Sequence, residues 1–280
     1  MSSHAIYPDS VLWTNFAPDH IDYHGTEKAY FLAKFKLAEN CRSPENVFIG
    51  SSVVQYAQKY GLKLNPKFTI LDKICRSDLP ENIGVFHQSI PQLENLAFAI
   101  KWLASKGVSK TMIFEALQSY EPYPYRLQKV CEINDVSFWN DSKSTNLAST
   151  KAACKSFEKK VIWIGGGKEK GEELTNFSDH LSPYLHKAIL IGDSARELFK
   201  LFNQIGIKVE ICETLRTAIQ KAYDSAKRYS DILFSPGFAS FDMFSNYMER
   251  GNSFNSLVFD LKSSIQVSTK LSVNNFHASH

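Results

Sequence analysis

The sequence predicts an α/β protein whose second half is an open, mainly parallel sheet with helices on both faces. Three observations carry that expectation. Beyond residue 126, short apolar runs rich in Val, Ile and Phe alternate with stretches of helical periodicity, the pattern of successive strand–helix units. The run Glu121-Pro122-Tyr123-Pro124-Tyr125 holds residues that lack a backbone donor and fix φ, which marks a boundary between domains at 1–125 and 126–280. A composition of 44% hydrophobic and 22% charged residues over 280 positions supplies enough core for two domains and no disordered tract.

In the first domain Val11-Leu12-Trp13-Thr14 reads as a short strand, followed by a turn-rich stretch to Gly25. A helix begins at Thr26, with apolar positions recurring through Tyr30, Phe31, Leu37 and Ala38. Val47–Ile49 is a second strand, Ser52–Tyr60 a helix and Leu93–Ala104 a longer helix. In the second domain strands are expected at 130–133, 136–139, 161–164, 188–191, 209–211 and 232–234. Helices are expected at 147–157, 174–185, 195–204 and 215–228.

An open parallel sheet binds ligands at the carboxyl ends of its strands. Three polar or glycine-rich loops leave strands there: Asn140–Asn146, Gly165-Gly166-Gly167-Lys168 and Ser235–Asp242. The first carries a lysine, a carboxylate and three hydroxyls at a helix start, where Thr145 or Asn146 caps and where backbone N–H groups favour an anion. A solvated turn would share that composition. The glycines let backbone approach a ligand, with Lys168 or Lys170 as its cation. Ser240 suits either a carboxylate donor or a helix N-cap.

In the first domain, Asp19-His20-Ile21-Asp22-Tyr23-His24 sets imidazoles beside carboxylates, suited to a divalent cation or to structural hydrogen bonding. Lys34 lies among Tyr30, Phe31, Leu32 and Phe35. It is either an exposed lysine of an amphipathic helix or one whose apolar surroundings favour the neutral amine.

Several classes of function are set aside by composition. Lys+Arg 32 against Asp+Glu 29 leaves +3, too little for a broad nucleic-acid-binding face. Five scattered cysteines without a C-x-x-C fit reduced thiols in a cytoplasm rather than disulfides or zinc. No signal peptide and no apolar run of membrane-spanning length is read, so a cytoplasmic protein without membrane insertion is expected. Neither G-x-G-x-x-G nor G-x-x-x-x-G-K-[ST] occurs, nor a G-x-S-x-G nucleophile elbow.

Taken together, Thr14-Asn15-Phe16-Ala17-Pro18-Asp19-His20-Ile21-Asp22, Asn140–Asn146, Ser235–Asp242 and Arg250-Gly251-Asn252-Ser253-Phe254 resemble the Mur ligase family, in its D-glutamate-adding branch. Order and spacing match over nearly the whole chain, and the Asn-Asp-Ser-Lys block discriminates this branch from siblings. The resemblance implies an ATP-dependent amide ligase of peptidoglycan-precursor synthesis. In that family ATP phosphorylates a carboxylate of UDP-N-acetylmuramoyl-L-alanine, and the amine of D-glutamate attacks the acyl phosphate. By motif match His20 resembles a ligand for Mg²⁺ or Mn²⁺, and Lys34 the family's carbamylated lysine at the metal site. Asn95, Arg126, Asp141 and Lys143 resemble nucleotide contacts, with His20, Lys34 and Lys143 the catalytic set. Thr145, Lys168, Ser240 and Tyr247 resemble D-glutamate contacts.

The sequence departs from the family pattern at Pro91-Gln92, in place of a His-Asn pair, and at Tyr125, in place of histidine. Gly237-Phe238 replaces Ala-Cys, and Tyr247 a phenylalanine. The family's N-terminal uridine-nucleotide domain and P-loop are also unmatched. The expected architecture is therefore a partial central ATPase-type α/β domain followed by a Rossmann-like domain, with exposed sheet edges. Alone, such a chain is expected not to ligate at a family-like rate. It could instead be a non-catalytic binding module or one half of a split ligase docking a separate N-terminal polypeptide. A folate-type polyglutamate ligase would share the architecture but lack the Asn-Asp-Ser-Lys block.

Overall fold

The computed structural model describes residues 6–17, 21–79, 90–120, 123–169 and 174–277. They form an α/β fold that divides into two compact units, Met1–Tyr120 and Glu121–His280. The division falls at Tyr120/Glu121, at the start of the boundary run and ahead of both its prolines.

The first unit opens with β1 (Val11–Trp13), the short α1 (Ile21–His24) and α2 (Glu27–Glu39). The Thr26 side chain caps α2 by accepting from Ala29 N at 3.1 Å. Phe31, Phe35 and Ala38, at helical spacing, are its buried face. A 3₁₀ turn at Pro44–Asn46 leads into β2 (Val47–Gly50), and α3 (Ser51–Lys59) follows without a loop. That abrupt passage needs glycine, because a Cβ on Gly50 would lie 1.8 Å from the Thr14 carbonyl oxygen.

β3 (Thr69–Leu71), α4 (Ile90–Ser105) and α5 (Lys110–Gln118) complete the unit. The sheet is parallel in the order β1-β2-β3, with Val11 opposite Val47 and Phe48 opposite Thr69. Trp13, Phe16, Phe31, Phe35 and Ile49 pack its core, while Leu12 and Ile70 on the edge strands are exposed.

The second unit starts with β4 (Gln128–Ile133) and β5 (Val136–Asn140), an antiparallel hairpin. Its turn residues, Asn134 and Asp135, have φ of 47° and 64°, the left-handed pair of a tight hairpin turn. Then come α6 (Leu147–Lys155), β6 (Val161–Gly165), α7 (Thr175–Leu181) and β7 (Leu185–Leu190). They are followed by α8 (Ala195–Gln204), β8 (Val209–Ile211), α9 (Leu215–Asp224), β9 (Asp231–Phe234) and α10 (Tyr247–His277).

Strand order is β4-β5-β9-β6-β7-β8, parallel from β5 onward. The central strands are apolar on both faces, as two covered faces require. Ile162 and Ile164 of β6 point to α9 and α10, where Leu215, Ala218, Phe254 and Val258 meet them. Val161 and Trp163 point to α6, α7 and α8, against Cys154, Phe177, Leu181, Leu198 and Phe202. Because β9 pairs with both β5 and β6, the loops that follow those three strands are neighbours.

Some boundaries differ from the sequence expectation. The helix expected over 174–185 stops at Leu181, since Ser182-Pro183-Tyr184 makes a 3₁₀ turn and β7 begins at Leu185. The one expected over 215–228 stops at Asp224. β3, α5 and the long α10 were not anticipated; low apolar periodicity conceals α10, whose start instead supplies a site residue.

Candidate functional site in the second unit

The three neighbouring loops are bonded into one framework. Gly166 N donates to Pro236 O at 2.9 Å, and Gly237 N to Ser144 O at 3.0 Å. Lys168 N donates to Ala239 O at 2.9 Å, closing an isolated antiparallel bridge. Gly166, Gly167 and Gly237 have φ of 112°, 145° and 79°. A Cβ on Gly166 would stand 2.1 Å from Ile191 O, so only glycine allows this approach.

Within the Asn140–Asn146 loop, inward and outward residues divide the work. Asn140, Asp141, Ser142 and Ser144 are buried, whereas Lys143, Thr145 and Asn146 are half-buried. Asn140 Nδ2 donates to Gly251 O at 2.9 Å and to Asn255 Oδ1 at 2.7 Å, while its Oδ1 accepts from Ser142 N at 3.0 Å. Asn146 is the cap of α6, its side chain accepting from Ser149 N at 2.8 Å. Thr145 is therefore not the capping residue.

Asp141 is fully engaged inside the protein. Its Oδ1 accepts from Leu127 N at 3.0 Å, and its Oδ2 from Ser144 Oγ at 2.5 Å and Ser235 Oγ at 2.7 Å. Burial pushes its carboxyl up to about 6, against the pull of those hydrogen bonds and of nearby Arg126. Ser235 joins the neighbouring strands too: its carbonyl accepts from Trp163 Nε1 at 2.8 Å and from Thr150 Oγ1 at 3.1 Å.

Arg250, on the first turn of α10, ties two of the loops together. It is 1% exposed. Its Nε donates to Ser142 Oγ at 3.1 Å, Nη2 to Ser142 O at 2.9 Å and Nη1 to Phe238 O at 3.0 Å. Burial lowers its pKa to about 10, with the Asp242 carboxylate opposing that shift. Sequence reading assigned Arg250 no role. The signal available was a lone basic residue ahead of Gly251 near the start of a helix that sequence reading did not anticipate.

The outward groups gather at the mouth of this framework. Lys143 Nζ stands 4.2 Å from the centroid of the Tyr247 ring, a cation–π contact. Tyr125 meets Tyr247 edge-on at 6.4 Å between centroids. Arg126 and Lys168 are exposed, whereas Ser240 is buried, at 3% exposure. The Ser240 carbonyl, not its hydroxyl, accepts from Met243 N and Phe244 N at 3.1 and 2.8 Å. This is a cationic rim over a rigid, hydrogen-bonded floor, suited to a phosphate or a carboxylate.

The other residues singled out from sequence belong to the first unit. Lys34 is half-buried on α2, its Nζ 5.0 Å from the Tyr30 ring centroid. Asn95 is exposed on α4 and donates to Gln92 Oε1 at 3.2 Å. His20 lies outside the described residues, as does Lys170. Among the described residues no three His, Cys, Asp or Glu side chains converge as a metal site, and no helix is long and apolar enough to cross a membrane.

Residues 125–237 match the family described as Mur ligase, glutamate ligase domain, and residues 1–69 match the Mur ligase middle domain. A UDP-N-acetylmuramoylalanine–D-glutamate ligase of Streptococcus sanguinis is 29% identical over 272 residues, covering 91% of this chain and 60% of the relative. The Caldicellulosiruptor bescii protein of the same name is 30% identical, covering 88% of this chain and 59% of the relative. The chain thus spans about 60% of the length of the curated relatives it matches. Among solved structures, the UDP-N-acetylmuramate-alanine ligase of Thermotoga maritima superposes with a TM-score of 0.64 at 14% identity, over 92% of this chain and 61% of its own. A folylpolyglutamate synthase of Mycobacterium tuberculosis gives 0.56 at 13% identity, over 87% and 62%. At such identities the structural likeness is one of fold.

Proposed function

Because the chain belongs to the Mur ligase family, we propose that it supplies the amino-acid-binding and part of the nucleotide-binding machinery of an ATP-dependent ligase. The reaction joins D-glutamate to UDP-N-acetylmuramoyl-L-alanine in peptidoglycan-precursor synthesis. The observation that carries this reading is the Asn140–Asn146 loop. Its inward side chains are bonded into the floor, and Lys143 stands at the rim on the Tyr247 ring.

Thr145, Lys168, Ser240 and Tyr247 are assigned to D-glutamate. Arg126 and Lys143 are assigned to the nucleotide, and Asn95 of the first unit keeps its own assignment as a nucleotide contact. In this reaction a substrate carboxylate oxygen attacks the γ-phosphorus of ATP and ADP leaves. The amine of D-glutamate then attacks the acyl carbon, loses a proton and expels phosphate. Cations at the rim stabilise the negative charge that develops in both steps. Asp141, buried and committed to three internal hydrogen-bond donors, acts by shaping the site rather than by touching the nucleotide.

Mg²⁺, or Mn²⁺, is assigned to His20 and to a carbamylated Lys34. Carbamylation would place an anion where the Lys34 ammonium now rests over the negative face of Tyr30, so the side chain must leave that ring to serve a metal. Mass spectrometry of the chain in bicarbonate, with and without Mg²⁺, tests the modification directly.

A binding module that recognises D-glutamate or ATP without turnover is the second reading. Calorimetry with D- and L-glutamate, followed by phosphate release with ATP, Mg²⁺ and both substrates, tests this. Saturable binding of the D enantiomer is expected. A folded chain that binds neither D-glutamate nor ATP sinks the proposal. Phosphate release dependent on both substrates overturns the binding-module reading.

A further inference from the structure

Arg126 sits between two residues whose backbone is in the left-handed region, Tyr125 at φ 64° and Leu127 at φ 46°. Neither is glycine, and bulky L-residues hold such angles only when their surroundings compel them. Here the surroundings do. Leu127 N donates to Asp141 Oδ1 at 3.0 Å. The Tyr125 carbonyl accepts from Lys143 N at 3.1 Å, and Tyr125 N donates to Gln128 Oε1 at 3.3 Å. The phenol donates to Asn252 Oδ1 at 2.6 Å.

The ring itself lies on Gly251 of α10, where a Cβ would stand 2.4 Å from Tyr125 Cδ1. A helix interior does not ordinarily favour glycine, so its presence there fits the seating of this ring. Between the half-buried Tyr125 and Leu127, Arg126 is exposed.

We propose that Asp141, Tyr125 and Gly251 are positioning residues, locking a strained turn onto the second unit so that Arg126 stands at a fixed offset from Lys143 to meet the polyphosphate of a nucleotide. This rests on the nucleotide reading of Arg126 and Lys143. A turn that matters only for folding would affect stability without acting through Arg126. A turn that presents Arg126 must lose its effect when Arg126 is absent.

The test uses the full chain with MgADP as the probe and a double-mutant cycle. Gly251→Ala, a good helix former that would eject the ring, is expected to weaken ADP binding about tenfold. The milder Tyr125→Phe, which removes one hydrogen bond, is expected to weaken it about threefold. Neither should weaken it further in an Arg126→Ala background. Amide exchange at Leu127 and Lys143, followed by NMR, should quicken in Gly251→Ala. Effects that multiply with Arg126→Ala overturn the proposal. So does faster exchange with unaltered affinity. Wild-type binding retained in Arg126→Ala overturns the nucleotide reading on which the proposal rests, whereas unchanged exchange in Gly251→Ala overturns the lock itself.

Discussion

Replacing Asp141 with asparagine is expected to stabilise the second unit near neutral pH, by an amount that grows with pH. The native carboxyl is pushed from 3.8 up to about 6, chiefly by burial. At about 1.4 kcal/mol per pKa unit, a shift of about two units corresponds to about 3 kcal/mol. Below pH 3.8 the group is protonated in folded and unfolded chains alike and makes no difference. Between about 4 and about 6 the native state keeps a proton that the unfolded state has released, so stability falls as pH rises. Above about 6 the carboxylate is buried and charged, and the full cost persists.

Asparagine avoids that cost while keeping much of the geometry. Its Oδ1 can accept from Leu127 N, and its amide can donate to the Ser144 and Ser235 hydroxyls that face Asp141 in the native chain. Urea unfolding of both proteins from pH 4.5 to 8, followed through NMR amide signals of β5, β6 and β9, confines the measurement to the second unit. The stability gap should widen by about 2 kcal/mol across that range. A constant offset from the substitution itself does not affect this widening. A gap independent of pH would refute burial of the charge as the source.

Other expectations concern the same framework and its rim. Arg250→Met leaves the carbonyls of Ser142 and Phe238 without their donors, at about 1–3 kcal/mol each. Calorimetry should show the second unit melting about 10 °C lower, consistent with a net loss of about 4 kcal/mol. Gly50→Ala, whose Cβ would meet Thr14 O at 1.8 Å, should destabilise the first unit by more than about 3 kcal/mol, while second-unit amide exchange is unchanged. Lys143→Ala removes little beyond a contact with the Tyr247 ring, worth about 0.5–1 kcal/mol. Its melting temperature should hardly move, while ADP titrations lose at least about tenfold in affinity.

Most strands and helices were legible because period and punctuation agree. Val161-Ile162-Trp163-Ile164 can only be a strand covered on both faces, and Thr26 announces the helix that buries Phe31 and Phe35. The helix from Tyr247 was not legible, because its buried face is sparse: Arg250, Phe254 and Val258 are buried within long polar stretches. With it went the role of Arg250. A cation that donates to backbone oxygens on other loops leaves no local pattern; its partners, Ser142 and Phe238, lie 108 and 12 residues away.

The seven residues from Asn140 to Asn146 explain why a functional loop can be legible while the separate roles of its residues are not. Polar residues at a strand end do two jobs there, and sequence does not separate them. Asn140, Asp141, Ser142 and Ser144 spend their donors and acceptors on Leu127, Ser235, Tyr247, Arg250, Gly251 and Asn255. That interior network makes the loop rigid, and rigidity holds Lys143 at a defined place. A carboxylate in the motif therefore reads as a ligand contact although its oxygens face inward. The consequence can be tested by partition: inward substitutions such as Asp141→Asn should change stability and its pH dependence, whereas outward ones such as Lys143→Ala should change affinity. Asp141→Asn keeps the acceptor for Leu127 N, and with it the Arg126 turn, so affinity lost in that variant and stability lost in Lys143→Ala would reverse the assignment.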